Sequence, residues 1–317
     1  MPDAAVKIVG VLGVVCIMLI GISCDGRGNK NAPEFSWGVS GRGPSELSYP
    51  RVITFDDKSN LFALIDRTAR VQIFDSTGHL KAGWTMPEQA NGKPVGATFA
   101  PDGTLWVADT HYHRIIVYDL SGKLLRTFGK KGTGTGVSAA EVEFDLPCDI
   151  AFEETTGRYF ISEYGGNDRI QVFESDGRFV MTIGRFGQEP GEFSRPQSIA
   201  IRKGELFVAD SCNHRISVFD TSTGKHLRDL GSVGTRPGEL RFPYGLVINE
   251  AGAIVVTEFA NARVQWLDPL TGKSLRVWGA AGKRSGELAF PWSLDMDSEG
   301  KVFVLDSGND RIQVIGR

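Results

Sequence analysis

Six times along its 317 residues, an acidic side chain closes one apolar run and, four to six residues later, an arginine opens the next. The pairs are Asp66 with Arg70, Asp109 with Arg114, Glu163 with Arg169, Asp210 with Arg215, Glu258 with Arg263, and Asp306 with Arg311. Successive arginines stand 44 to 55 residues apart, and each unit carries a second marker upstream, at Pro50, Pro94, Pro147, Pro196, Pro243 and Pro291. A chain marked twice at such intervals must build itself from similar units that bury their apolar faces against one another.

Each unit holds four strand-sized pieces. Between Pro196 and Gly231 they read QSIAI, ELFVAD, RISVFD and HLRDLG, with Lys203-Gly204 and Ser222-Thr223-Gly224 at turns. The 39 glycines exceed the ordinary share of about 7%, as many short strands and turns require. Four-stranded repeats of this length predict an all-β fold, a six-bladed β-propeller. The sixth unit stops after its third strand, at RIQVIGR. At the other end, WGVSGRGPSELSYP (37–50) matches WGAAGKRSGELAFP (278–291). The N-terminal segment around Phe35 to Gly38 is therefore expected to add the missing outer strand beside Arg311 to Ile315 and protect an open edge.

These residues carry a resemblance. Pro-x-x-Ile, Leu-Phe-Val-Ala-Asp, Asn-His-Arg-Ile-x-Val-Phe-Asp and Gly-x-x-Gly-x-x-x-Gly-Glu-Phe resemble the NHL repeat over residues 34 to 317. The resemblance implies the propeller fold but no single activity, because propellers of this family serve as enzymes, RNA readers, sensors and scaffolds.

A group needed once would not recur six times, so the acids and arginines are read as loop fasteners through charge-assisted hydrogen bonds. Function is sought where the copies differ. The two residues after each proline should ring the channel mouth: Arg51 and Val52, Val95 and Gly96, Cys148 and Asp149, Gln197 and Ser198, Tyr244 and Gly245, Trp292 and Ser293. This ring suits a polar ligand with an apolar or sugar-like face; the plainer alternative is that these residues fill the entrance. The third unit departs furthest, with Glu163-Tyr164-Gly165-Gly166-Asn167 after a long segment, 130–146, which makes Lys130, Lys131, Asp149, Glu163 and Tyr164 a second candidate patch. The ligand-binding candidates are Arg51, Asp149, Glu163, Tyr164, Gln197, Tyr244 and Trp292.

No catalytic residue, metal site or cofactor is assigned. Gly272-Lys273-Ser274 resembles the end of a phosphate loop, but Leu267 stands where the first glycine is needed. Gly132, Gly134 and Gly136 lack the strand-to-helix setting of a dinucleotide fingerprint. His113 and His214 share one repeat position, which the family motif fills with histidine. The amidating lyases of this resemblance carry zinc-binding histidines in the Pro-x-x region, where this chain has none. Lactonase-like propellers build a channel metal site from acids and amides, so Asp149, Glu163 and Gln197 keep a metal-dependent hydrolase or lyase as the alternative.

The first residues are of another kind. KIVGVLGVVCIMLIGISC (7–24) is a cation, an apolar run and a small-residue end, the form of a signal peptide over 1–23. The run from Ile8 to Ile22 is 15 residues, shorter than the roughly 20 of a membrane span. Ile20-Gly21-Ile22-Ser23-Cys24 resembles the bacterial lipobox, which implies lipidation of Cys24 and a linker over 24–33; plain secretion is the alternative. With a net charge of -3, nothing suggests binding to a polyanion such as nucleic acid. The expectation is an envelope-located binding or scaffold module for a protein, peptide or glycan, held near a bacterial membrane by its lipid.

Overall fold

The structure, a computed structural model, describes residues 31–90, 92–136 and 141–317. The predicted signal segment, Cys24 and most of the 24–33 linker lie outside the described residues. Six four-stranded antiparallel sheets form the molecule. The innermost strands are Pro50–Asp56, Gly96–Phe99, Leu146–Phe152, Pro196–Arg202, Pro243–Ile248 and Leu294–Met296. Each touches the innermost strand of the blades on either side, and the sixth touches the first, which closes a ring.

The fourth blade shows why the residues fold this way. Glu205–Asp210 buries every residue after its first, and Arg215–Asp220 buries its middle four. The outer strand His226–Leu230 buries only its last residue. Inner strands are thus apolar on both faces because blades cover both sides, whereas the outer strand meets water. Every seam between neighbouring blades holds its own apolar cluster; Ile216 and Leu230 meet Leu246 and Ile254 between the fourth and fifth.

Ring closure follows the sequence expectation. Phe35–Trp37 pairs antiparallel with Arg311–Ile315, Phe35 opposite Val314 and Trp37 opposite Ile312. Phe35 and Trp37 pack on the cluster between the sixth and first blades, with the Trp37 ring 4.8 Å from that of Phe74.

The repeated acid and arginine hold the rim together. Arg215 Nε donates to Asp210 Oδ2 at 2.8 Å, while its Nη2 donates to the Glu189 and Glu192 carbonyls of the connection arriving from the third blade. Arg70, Arg263 and Arg311 do the same to the connections before their own blades. Each arginine therefore ties a turn within its blade to the loop that enters it, a tie between blades that spacing alone did not disclose.

Candidate functional site

Register fixes which end of the channel carries the variable residues. Pro50 lies opposite Asp66, Pro147 opposite Glu163, Pro196 opposite Asp210 and Pro243 opposite Glu258. The proline ends and the acid-to-arginine turns thus share one face of the disc. Inside lies a cavity of about 260 Å³. All twelve residues of the expected ring line it except Arg51 and Cys148. Gly96 and Gly245 are there for spacing: a Cβ on Gly96 would meet the Cys148 carbonyl oxygen at 1.9 Å, and one on Gly245 the Ser293 Cα at 2.7 Å. Cys148 is fully buried, its Sγ 3.2 Å from Ser162 Oγ and 2.9 Å from the Pro196 carbonyl, and burial raises its pKa well above the usual thiol range. Both it and the exposed Cys212 are free thiols.

Aromatic rings and guanidinium groups frame the mouth. Tyr244 stacks on Phe259 at 4.7 Å and meets Trp292 edge-on at 5.0 Å, and Tyr49 reaches Trp292 at 6.0 Å. The Arg51 guanidinium sits 4.6 Å above the Trp292 ring, and that of Arg195 lies 5.2 Å from Tyr164 and 5.3 Å from Tyr244. Arg195 Nε also donates to Gln197 Oε1 at 2.9 Å. Burial lowers the pKa of Arg51, an effect the nearby tyrosines oppose. Burial likewise raises Tyr49, Tyr164 and Tyr244, which keeps their hydroxyls protonated at neutral pH. Two donors in this frame, Arg51 Nε and Trp292 Nε1, are buried without a hydrogen-bond partner.

Tyr49, Arg195, Phe242 and Phe290 were missed by the sequence reading. Each immediately precedes a blade proline, where an extended backbone is normal. Instead all four are left-handed, with φ of 49°, 63°, 50° and 50°. Such a backbone costs about 1 to 2 kcal/mol for a bulky residue, and three of the four are clamped. Tyr49 N–H donates to Asp310, Arg195 N–H to Asp168 and Phe242 N–H to His214 Nδ1. No signal in the sequence set them apart, since Lys93 and Leu146 before the other two blade prolines are also large and are not left-handed.

Two further candidates need correction or narrowing. Glu163 is fully buried, its carboxylate held by Arg169, Gln171 and the Asp145 N–H, so it fastens a loop and presents no face to a ligand. Tyr164 joins the mouth through Arg195, whereas Lys130 pairs with Glu143 at 3.5 Å, so the second patch divides. Asp149 stays in the cavity, its Oδ2 accepting the Ile199 N–H of the next blade at 2.9 Å. Among the described residues no group of three or more His, Cys, Asp or Glu side chains is placed to hold a metal.

Family models for the NHL repeat match residues 193–219 and 288–315, and a model described as a 6-bladed beta-propeller matches 148–205. The chain carries NHL repeats and folds as a six-bladed β-propeller. This NHL propeller is 26% identical over 185 residues to NHL repeat-containing protein 3 of Homo sapiens, a match covering 56% of this chain and 53% of that protein. It is 33% identical over 156 residues to peptidylglycine alpha-amidating monooxygenase of Rattus norvegicus, covering 45% of this chain and 16% of that protein. The chain thus spans about half the length of the first relative and a small part of the second. A solved streptogramin B lyase matches with a TM-score of 0.58 at 16% identity, over 84% of this chain and 93% of that one, a likeness of fold.

Proposed function

We propose that this NHL propeller is an exported, lipid-anchored binding or scaffold module of a bacterial envelope, and that it holds a protein, peptide or glycan partner at the channel mouth. The observation that carries the reading is Arg51: a guanidinium lying on an indole face with its Nε buried and without an acceptor. The guanidinium forms no ion pair among the described residues, so a ligand carboxylate or carbonyl at the mouth can take a charge-assisted hydrogen bond from its outer nitrogens. The aromatic frame of Tyr49, Tyr244, Phe259 and Trp292 supplies the flat apolar surface that such a ligand covers. Lipidation at Cys24 keeps the disc within roughly 35 Å of the membrane, the reach of about ten extended residues.

Tyr244 and Trp292 are themselves buried, so truncating them would also remove core. Arg51→Gln is the cleaner test. Chemical cross-linking in the native envelope is expected to capture the partner with the parent chain and about tenfold or more weakly with the variant, the loss of one charge-assisted hydrogen bond. Undiminished capture by a variant with an unchanged melting temperature would move the site away from the mouth.

A channel hydrolase or lyase remains the second reading, favoured by the names of the amidating and streptogramin relatives. It calls for a metal, and Asp149 and Gln197 line the cavity without Glu163. A rise in melting temperature on adding calcium or zinc after chelation would favour it.

A further inference from the structure

Two carboxylates inside the channel have no part in the blade fasteners. Asp149 Oδ2 accepts the Ile199 N–H at 2.9 Å, and Asp295 Oδ2 accepts the Phe55 N–H at 2.7 Å. Their other oxygens accept the N–H groups of Ile150 and Met296. Each carboxylate thus covers a main-chain donor on the channel edge of the next blade. The Ser198 and Thr54 hydroxyls add a hydrogen bond to each, but these leave the charge, and among the described residues no cation stands among the groups acting on either carboxylate. Buried charges are ordinarily paired. The same cavity is lined by Trp292, whose Nε1 is buried without an acceptor beneath the Arg51 guanidinium. The mouth therefore sets a guanidinium on an aromatic ring, and the cavity within holds two carboxylates whose charge is not balanced by a neighbouring cation.

Resting on the mouth as the binding site, we infer that the seated ligand is a small zwitterion with a flat apolar face, its carboxylate on the Arg51 guanidinium and its ammonium on Asp149. Free aromatic amino acids and short peptides with free ends share this chemistry. The cavity, at about 260 Å³, has room for a group of that size. Asp295 is a second carboxylate on the same wall. A purely anionic ligand leaves both carboxylates without a cation, and a purely cationic one leaves the Arg51 guanidinium without an anion.

The test is calorimetric titration of the full chain with L-phenylalanine, glycyl-L-phenylalanine, phenethylamine and 3-phenylpropionate. One of the two zwitterions is expected to bind, and whichever binds tighter tells a free amino acid from a peptide. Phenethylamine and 3-phenylpropionate should each bind about tenfold or more weakly, since each loses one charge-assisted contact. Asp149→Asn keeps an oxygen for the Ile199 N–H; it should weaken the zwitterion at least as much while leaving 3-phenylpropionate unchanged. Asp295→Asn provides a second variant should the first unfold. Equal affinity for 3-phenylpropionate and phenylalanine would overturn the ammonium site while leaving the Arg51 mouth standing. Absence of binding by both zwitterions would also overturn it, and the Arg51→Gln capture result would then decide the mouth separately.

Discussion

His214 and Asp310 occupy one place in their repeats, just before the blade arginine, and both accept the N–H of a left-handed residue at the mouth. The family histidine is thus a clamp, and burial lowers the His214 pKa, which keeps Nδ1 free to accept. A different residue pair sets the response to pH. Burial pushes Asp149 up to about 6 and Asp295 up to about 7, against hydrogen bonds that pull both down. Between the unfolded carboxylate value near 4 and these folded values, the native state binds more protons than the unfolded chain. The stability these groups contribute is therefore full below about pH 4 and is lost as pH rises through 6 to 7. Asp295→Asn should melt higher than the parent at pH 8, by about 1 kcal/mol once screening by water in the cavity is allowed for, and the gain should shrink by pH 5. A gain independent of pH would show that the carboxylate is compensated after all.

At the level of strands, Phe35–Trp37 differs from every other outer strand because it comes from the opposite end of the chain. It was legible in advance because the 37–50 segment repeats the 278–291 segment. Removing 34–38 exposes the edge of Arg311–Ile315 and strips Phe35 and Trp37 from the seam between the sixth and first blades. The melting temperature is expected to fall by about 10 °C or more, since burying each large aromatic contributes about 3 kcal/mol. An unchanged midpoint would mean that the ring does not depend on this strand. The left-handed turns before four of the six blade prolines were not legible, because a pre-proline residue reads as extended and at three of them a clamp from the neighbouring blade overrides that preference.

Across the whole molecule, the sequence marked what repeats and left open what converges. Blade number, strand order and the acid-to-arginine pairs all follow from local pattern, as Asp210 with Arg215 illustrates. Convergence at the mouth depends on how six blades meet: Arg51, Trp292 and Tyr244 come from the first, sixth and fifth, and no spacing reveals that a guanidinium rests on an indole. Glu163 was misplaced for the same reason, since its repeat position promised a loop fastener and only the unusual loop beside it suggested more. The most direct measurement places a photoreactive benzoylphenylalanine at Phe290, a half-exposed residue against Phe259 at the mouth, and separately at Leu275 on the outer strand of the fifth blade. If the mouth is the binding site, irradiation in the native envelope will join the partner to the chain at position 290 and leave it unjoined at 275. Joining at 275 with none at 290 would contradict the account.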